Sequence, residues 1–257
     1  MKQTIVVKVG SAVLSENGKI ALERLQSLVT LLATLQTQYN VIFVSSGAVA
    51  AGYTLKQLDK NIIENKQVLA ALGQPLLMKM YKQEFKEYNL LCSQVLLEAT
   101  VFNDSVRLNY MKNAVNVMLQ NNIIPIINEN DVTAIDELVF GDNDQLAAHL
   151  TYHIDASLLV ILTDIDGYYD DNPHINPDAT LIKHIHKIDP KDLEAQHSSN
   201  SQFATGGIVT KLKAADFLLK HNKKMFLTSG FNLKYARDYL IEDNHTLGTL
   251  FEVKSNG

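Results

Sequence analysis

The chain has 257 residues, 46% of them apolar and 20% charged, with a formal net charge of −5. That length suits one large α/β domain better than two small ones, and folding it hides about three quarters of the extended chain's surface. The acidic balance argues against a nucleic-acid binder, which needs a basic face, and no apolar stretch reaches the roughly 18 residues that cross a membrane.

Residues 4–9 form a β-rich run that ends in Gly10-Ser11, and Leu22, Leu25, Leu28, Val29, Leu32 and Leu35 follow at helical spacing. A second strand over 41–45 ends in Ser46-Gly47 and enters a helix over 48–58. A helix over 64–88 follows, with Gly73 and Pro75 read as a break near its start. A buried strand over 90–97 holds Cys92, the single cysteine. It excludes an intrachain disulfide and fits a reducing cytoplasm, as does the absence of a signal-peptide pattern after Met1-Lys2-Gln3. A helix over 105–121 has Asn103 or Asp104 as its cap. Strands over 123–127 and 158–163 flank a helix over 145–153, and helices at 207–219 and 234–241 alternate with strands at 225–227 and 249–253. Strands separated by helices imply a mostly parallel sheet covered on both faces. The polar segment 194–203 is the least ordered candidate, and no repeat or interdomain linker is visible.

Strand ends carry the useful chemistry. The apolar run 123–127 stops at Asn128-Glu129-Asn130-Asp131, and Gly141-Asp142-Asn143-Asp144 opens the next helix. In open α/β sheets, ligands bind at the carboxyl ends of strands, so this pile-up of amides and carboxylates is a candidate site. Lys8-Val9-Gly10-Ser11 places a lysine near the end of an apolar strand. It is either a snorkelling edge lysine or a ligand group, with Gly10 permitting close backbone approach. Ser45-Ser46-Gly47 leads into a helix start, which attracts anions but is also an ordinary tight turn. Thr163-Asp164 ends a buried strand in a hydroxyl and a carboxylate that can cap a turn, hold a metal or bind a nucleotide. Thr205-Gly206-Gly207-Ile208-Val209-Thr210-Lys211 brings paired glycines, hydroxyls and a lysine to a helix start, a set suited to a phosphate chain. Neither GxxxxGK[ST] nor GxGxxG occurs, which disfavours a P-loop kinase and a dinucleotide oxidoreductase. Together the groups suit phosphoryl transfer with Mg²⁺ carried on the phosphates, and the mixed Asn, Asp and Ser cluster suits a small zwitterion such as an amino acid. His149 and His153 have the spacing of a zinc pair, yet Leu150 stands where a zincin carries its glutamate, so no metal site is assigned. His174, His184, His186 and His197 lie in polar segments and are read as solvated, and Tyr168 and Tyr169 as packing or bordering a nucleotide.

VVKVGSAVL, VSSGAVAAG, INEND, FGDND, LLVILTDIDGYY and TGGIVTKLKAAD occur in an order and spacing that resemble the amino acid kinase superfamily, and within it the glutamate 5-kinase family, over residues 3–252. The lysine–glycine and TGG elements are shared across the superfamily. INEND with FGDND is the specific pair, because relatives acting on N-acetylglutamate, aspartate, carbamate or UMP read differently there. The resemblance implies a three-layer αβα sandwich with a mainly parallel sheet. It is one domain over 1–257, with a glutamate-binding lobe of about 1–150 and an ATP-binding lobe of about 151–253. It implies phosphorylation of the side-chain carboxylate of L-glutamate by MgATP, the first step of proline biosynthesis, in the cytoplasm. By position Ser46, Asn128, Asp131, Asp142 and Asn143 are expected at glutamate. Lys8, Gly10, Ser11, Thr163, Asp164 and the run Thr205 to Lys211 are expected at ATP. Lys8 and Lys211 would bracket the transferred group and Asp144 would hold them. No general base is required, because a glutamate side chain with a pKa around 4.3 is already ionised. Many members continue into a PUA domain of RNA-binding type, and the stop soon after Val253 leads to the expectation of a single-domain form. Val139-Phe140 stands where some relatives carry a basic residue. A dimer or tetramer and inhibition by proline are further family expectations. The alternatives are a kinase of this fold with another acceptor, such as N-acetylglutamate or aspartate, and a non-catalytic nucleotide-binding protein.

Overall fold

In the computed structural model, strand β1 (Thr4–Val9) lies near the middle of an eight-stranded sheet. Residues 2–134, 143–171, 175–194 and 206–254 are described; Asp142 and Thr205, two of the expected site residues, lie outside them. After β1 come the short helix α1 (Ser11–Leu14) and a two-stranded hairpin, β2 (Ser15–Glu16) and β3 (Lys19–Ile20). Helix α2 (Leu22–Gln38), strand β4 (Asn40–Ser45), helices α3 (Ala48–Leu55) and α4 (Ile63–Lys86), and strand β5 (Leu91–Leu97) follow. Next are α5 (Ser105–Gln120), β6 (Ile123–Glu129), α6 (Asp144–His153), β7 (Leu158–Thr163) and β8 (His184–Ile185). The chain then forms α7 (Pro190–Glu194), α8 (Gly206–Lys220), β9 (Lys224–Ser229), α9 (Lys234–Ile241) and β10 (Thr249–Phe251).

The sheet order is β5-β6-β4-β1-β7-β9-β10-β8, and every pairing is parallel except β9 with β10. Two hydrophobic cores cover its faces. Ile5, Val7 and Val9 of β1 join residues of α2, α4 and α9 in one, while Val6 joins α5, α6 and α8 in the other. The two-residue side-chain period of a strand dictates that split, and it puts Lys8 on the same face as Val6, under α6 and α8.

Helix α4 runs unbroken through Gly73 and Pro75, against the break expected there. Gly73 serves close packing instead. A Cβ on it would sit 1.8 Å from the Ala48 carbonyl oxygen of α3, and one on Gly52 would sit 1.8 Å from the Leu69 oxygen of α4. Two glycines facing each other let α3 and α4 touch backbone to backbone, and that packing outweighs the weak intrinsic preference against helix. The strand carrying Cys92 is likewise not buried. β5 is the sheet edge and Leu91 is 69% exposed, while burial pushes the half-covered Cys92 thiol up to about 11, leaving it protonated. The hairpin, α1, α7 and β8 were not read from the sequence, because elements of two to five residues carry too few positions to show a period. Asp104 caps α5 as expected, accepting from the Val106 and Arg107 amides.

Candidate active site

Because β1, β4, β6, β7 and β9 are parallel, their carboxyl ends lie along one edge. The chain leads from β1 to β4 on one side and on to β6, then crosses back to β7 on the other side of β1, and that reversal of strand order opens a crevice there. Lys8, 2% exposed, donates to Asp144 Oδ1. From α8, Lys211 Nζ donates to Asp144 Oδ2 at 3.1 Å, and the Thr210 hydroxyl reaches the same oxygen at 3.3 Å. Lys211 also donates to the Gly207 carbonyl at 3.0 Å. Asp144 is fully buried in the first turn of α6, where a helix start favours a carboxylate. One carboxylate thus bridges two ammonium groups from β1 and α8, and a buried charge persists only with such partners.

The residue before Asp144 opens a second network. Asn143 Nδ2 donates to Asn128 Oδ1 at 2.8 Å and to the Ser46 hydroxyl at 3.3 Å, and Asn128 Nδ2 donates to Gln74 Oε1 at 3.1 Å. All four side chains are buried. Ser46 reaches the network because Gly47, at φ 102°, turns β4 into α3 through a conformation that favours glycine. Behind it the Ser45 hydroxyl meets the Tyr81 hydroxyl at 2.8 Å, and burial holds Tyr81 far above the usual tyrosine range. Among the described residues, two acceptors in this region are buried without a partner, Asn143 Oδ1 and Asp131 Oδ1. Burial, and secondarily the neighbouring Glu129 carboxylate, raise Asp131 to about 7.

Asp131 borders a cleft of about 240 Å³ shared with Ser11, Gly47, Lys60 and Lys66. A second cleft of about 250 Å³ lies between α4 and β5 and is lined by Gln74, Gln94, Glu129 and Asp131 among others. Gln74, Lys60 and Lys66 were not singled out from the sequence. Gln74 was hidden by reading its flanking Gly73 and Pro75 as a helix break, Lys60 by lying between two expected helices, and Lys66 by sitting within the helix expected over 64–88, where a lysine carries no signal.

On the other side of β1, Val9 pairs with Leu162, which sets Gly10 next to Thr163. The Gly10 amide donates to the Leu162 carbonyl at 2.9 Å, so Gly10 offers the crevice space while its N–H belongs to the sheet. Ser11 is exposed at the start of α1. Buried Thr163 donates through its hydroxyl to exposed Asp164 at 2.9 Å. Its carbonyl accepts from the Gly230 amide at 2.6 Å, bringing the end of β9 to the same edge. Ser229-Gly230 was missed, although it repeats the strand-end small-residue signal of Ser46-Gly47. Gly206 and Gly207 start α8, a Cβ on Gly207 would meet nothing within 4 Å, Ile208 is half-buried, and Val209 is buried. The structure therefore joins Lys8, Asp144, Thr210 and Lys211 directly, and Ser46, Asn128 and Asn143 directly, while the Thr163 hydroxyl bonds to Asp164.

Among the described residues no group of three metal-binding side chains is present. His149 and His153 stack on Phe102, at ring-centroid distances of 5.3 Å for both, and burial is the main cause lowering each below the usual histidine value. His184 and His186 are exposed and bond to Glu252, while His174 and His197 lie outside the described residues. Tyr168 packs against the second core. No described helix is long and apolar enough to cross a membrane.

The amino acid kinase family matches residues 3–229. A glutamate 5-kinase of Leishmania donovani is 52% identical over 96% of this chain and 94% of that protein. One from Wolinella succinogenes is 50% identical over 96% of this chain and 97% of its own length. Among solved structures, carbamate kinase from Giardia lamblia bound to AMP-PNP superposes with a TM-score of 0.67 at 15% identity, covering 98% of this chain and 99% of that one, which shows a shared fold. On the identity and coverage of these relatives, the chain belongs to the amino acid kinase family, among its glutamate 5-kinases.

Proposed function

We propose that the crevice transfers the γ-phosphoryl group of ATP to the side-chain carboxylate of L-glutamate, giving L-glutamyl 5-phosphate, the first step of proline biosynthesis. The observation that carries the reaction class is the single buried carboxylate of Asp144 holding Lys8 and Lys211 from opposite sides. An anion must attack a polyanion here, and fixed ammonium groups lower that barrier by neutralising charge that spreads over the transferred oxygens. Lys8 and Lys211 are the catalytic residues in this reading, and Asp144 positions them. The substrate class rests on the orphaned acceptors. Asn143 Oδ1 and Asp131 Oδ1, buried and unpartnered, suit a ligand bearing several N–H donors, which an α-ammonium group supplies. Ser46, Asn128, Asp131 and Asn143 then hold glutamate, and Asp142 extends that set.

ATP is assigned to the other half of the crevice, at Gly10, Ser11, Thr163, Asp164 and the start of α8, from Thr205 to Lys211. The open space at Gly207, the paired glycines of the helix start and two nearby lysines fit a phosphate chain. Asp144 is already committed to lysines, so Mg²⁺ is best held by the phosphates with few protein ligands; when bound it supplies further charge neutralisation. In this arrangement residues of about 1–150 serve glutamate and those of about 151–253 serve ATP, with Lys8 at the seam. Proline inhibition, a dimer or tetramer, and cytoplasmic location complete the reading as expectations from the family. Incubation with MgATP and glutamate, N-acetylglutamate or aspartate, followed by hydroxylamine, tests it. Hydroxamate from glutamate alone is expected, and none from any acid overturns the assignment.

A further inference from the structure

We propose that Gln74, on α4, is a positioning residue that fixes which way the buried amides of the glutamate site point, and so creates the acceptor that reads the substrate's ammonium group. The inference rests on the proposed glutamate site and deepens it.

A carboxamide presents two donors from one end and two acceptor lone pairs from the other, in nearly the same shape. Nothing in the size of Asn128 or Asn143 decides its orientation; their hydrogen-bond partners do. Gln74 Oε1 accepts from Asn128 Nδ2 at 3.1 Å, which turns Asn128 Oδ1 toward Asn143. Asn143 Nδ2 then donates to that oxygen at 2.8 Å and to Ser46 Oγ at 3.3 Å. Asn143 Oδ1 is left without a donor among the described residues. The polarity thus runs one way through the network and ends in an empty acceptor.

Reversing Asn128 sets its NH₂ against the NH₂ of Asn143. Relief of that donor–donor clash reverses Asn143 as well, and the site then offers an amide NH₂ to a substrate ammonium. Ser46 does not prevent this, because its hydroxyl donates or accepts equally well. Gln74 is therefore the element whose acceptor holds the sequence in its productive direction. Its own orientation has a reason too. Gln74 lines the second cleft beside Glu129 and Asp131, whose carboxylates favour the NH₂ end of the Gln74 amide on that side. The oxygen is thereby turned toward Asn128.

The test uses the whole enzyme with Gln74→Leu, which removes the acceptor at similar volume. Glutarate, identical to glutamate but for the amino group, serves as a competitive ligand. Wild type must phosphorylate glutamate for the underlying reading to stand, and its failure to do so is a separate result. Given that activity, Gln74→Leu is expected to raise KM for glutamate about tenfold. The kcat, the KM for ATP and the inhibition constant of glutarate should stay within about twofold. An unchanged KM for glutamate in Gln74→Leu overturns the proposal. So does an equal weakening of glutamate and glutarate, since either result assigns Gln74 a merely structural role.

Discussion

Asp131 ends the INEND run at the mouth of the cleft with an ionisation poised at about 7, raised chiefly by burial and then by Glu129. If its charged form binds the substrate ammonium, then KM for glutamate rises as pH falls below 7, approaching tenfold per unit, and levels off above it. Calorimetry at pH 6.5 in buffers of different ionisation enthalpy should show proton release on glutamate binding. Asp131→Asn should abolish both effects, and a flat KM profile in wild type refutes the role. The lysines behave differently. Lys8→Ala and Lys211→Ala should each lower kcat at least about 10²-fold with little change in KM for glutamate, the pattern of groups that act on developing charge. Asn143→Ala should mainly raise that KM. These residues were legible because lysine at the end of an apolar strand and Asn-Asp at a helix start are unusual by type. Gln74 was not, since a glutamine within a helix carries no signal until its hydrogen-bond partner is seen.

At the scale of elements, the crossing of α3 and α4 shows where local reading fails. Gly73 followed by Pro75 reads as a break from the chain alone, yet α4 continues because Gly73 lies 2.3 Å, as a virtual Cβ, from the Gly52 amide of α3. A side chain of any size must separate the two helices. Gly73→Ala should therefore destabilise the fold by about 3 kcal/mol despite alanine's better helix propensity of about 1 kcal/mol. A urea midpoint at or above that of wild type contradicts the packing account. Since α3 begins beside Ser46, the same variant should weaken glutamate more than ATP, measured through their two KM values. Long helices and central strands were visible in the sequence because their apolar periods repeat over many positions. The hairpin, α7 and β8 depend on contacts made elsewhere in the chain, and β5 looked central because an apolar run does not reveal that the sheet stops there.

Across the whole molecule, one continuous sheet carries both halves of the crevice, so the proposed lobes meet along hydrogen-bonded neighbours, β1 and β7. Helices α6 and α8 lock that seam from one face, and between them pack His149, His153, Phe217 and His221, with His149 and Phe217 rings 4.2 Å apart. His149 and His153 have lowered folded-state values, mainly from burial. A base depressed in this way contributes stability above its unfolded pKa of about 6.5 and loses it as pH falls through the folded value. Asp131 acts in the opposite sense between pH 4 and 7, because its folded value is raised. Denaturation at pH 7.5 and 5.5 should therefore show a smaller acid loss in His149→Leu/His153→Leu than in wild type; equal losses remove the histidines from the account. The adjacency of Asn143 and Asp144 has a wider consequence. Consecutive residues at one helix start belong to different networks, one facing the amino acid and the other the phosphoryl lysines. Ordering either network restrains the peptide they share, so occupancy of one half lowers the entropic cost of filling the other. Linkage makes such cooperation reciprocal: glutamate should tighten a non-hydrolysable ATP analogue by the same factor by which that analogue tightens glutamate.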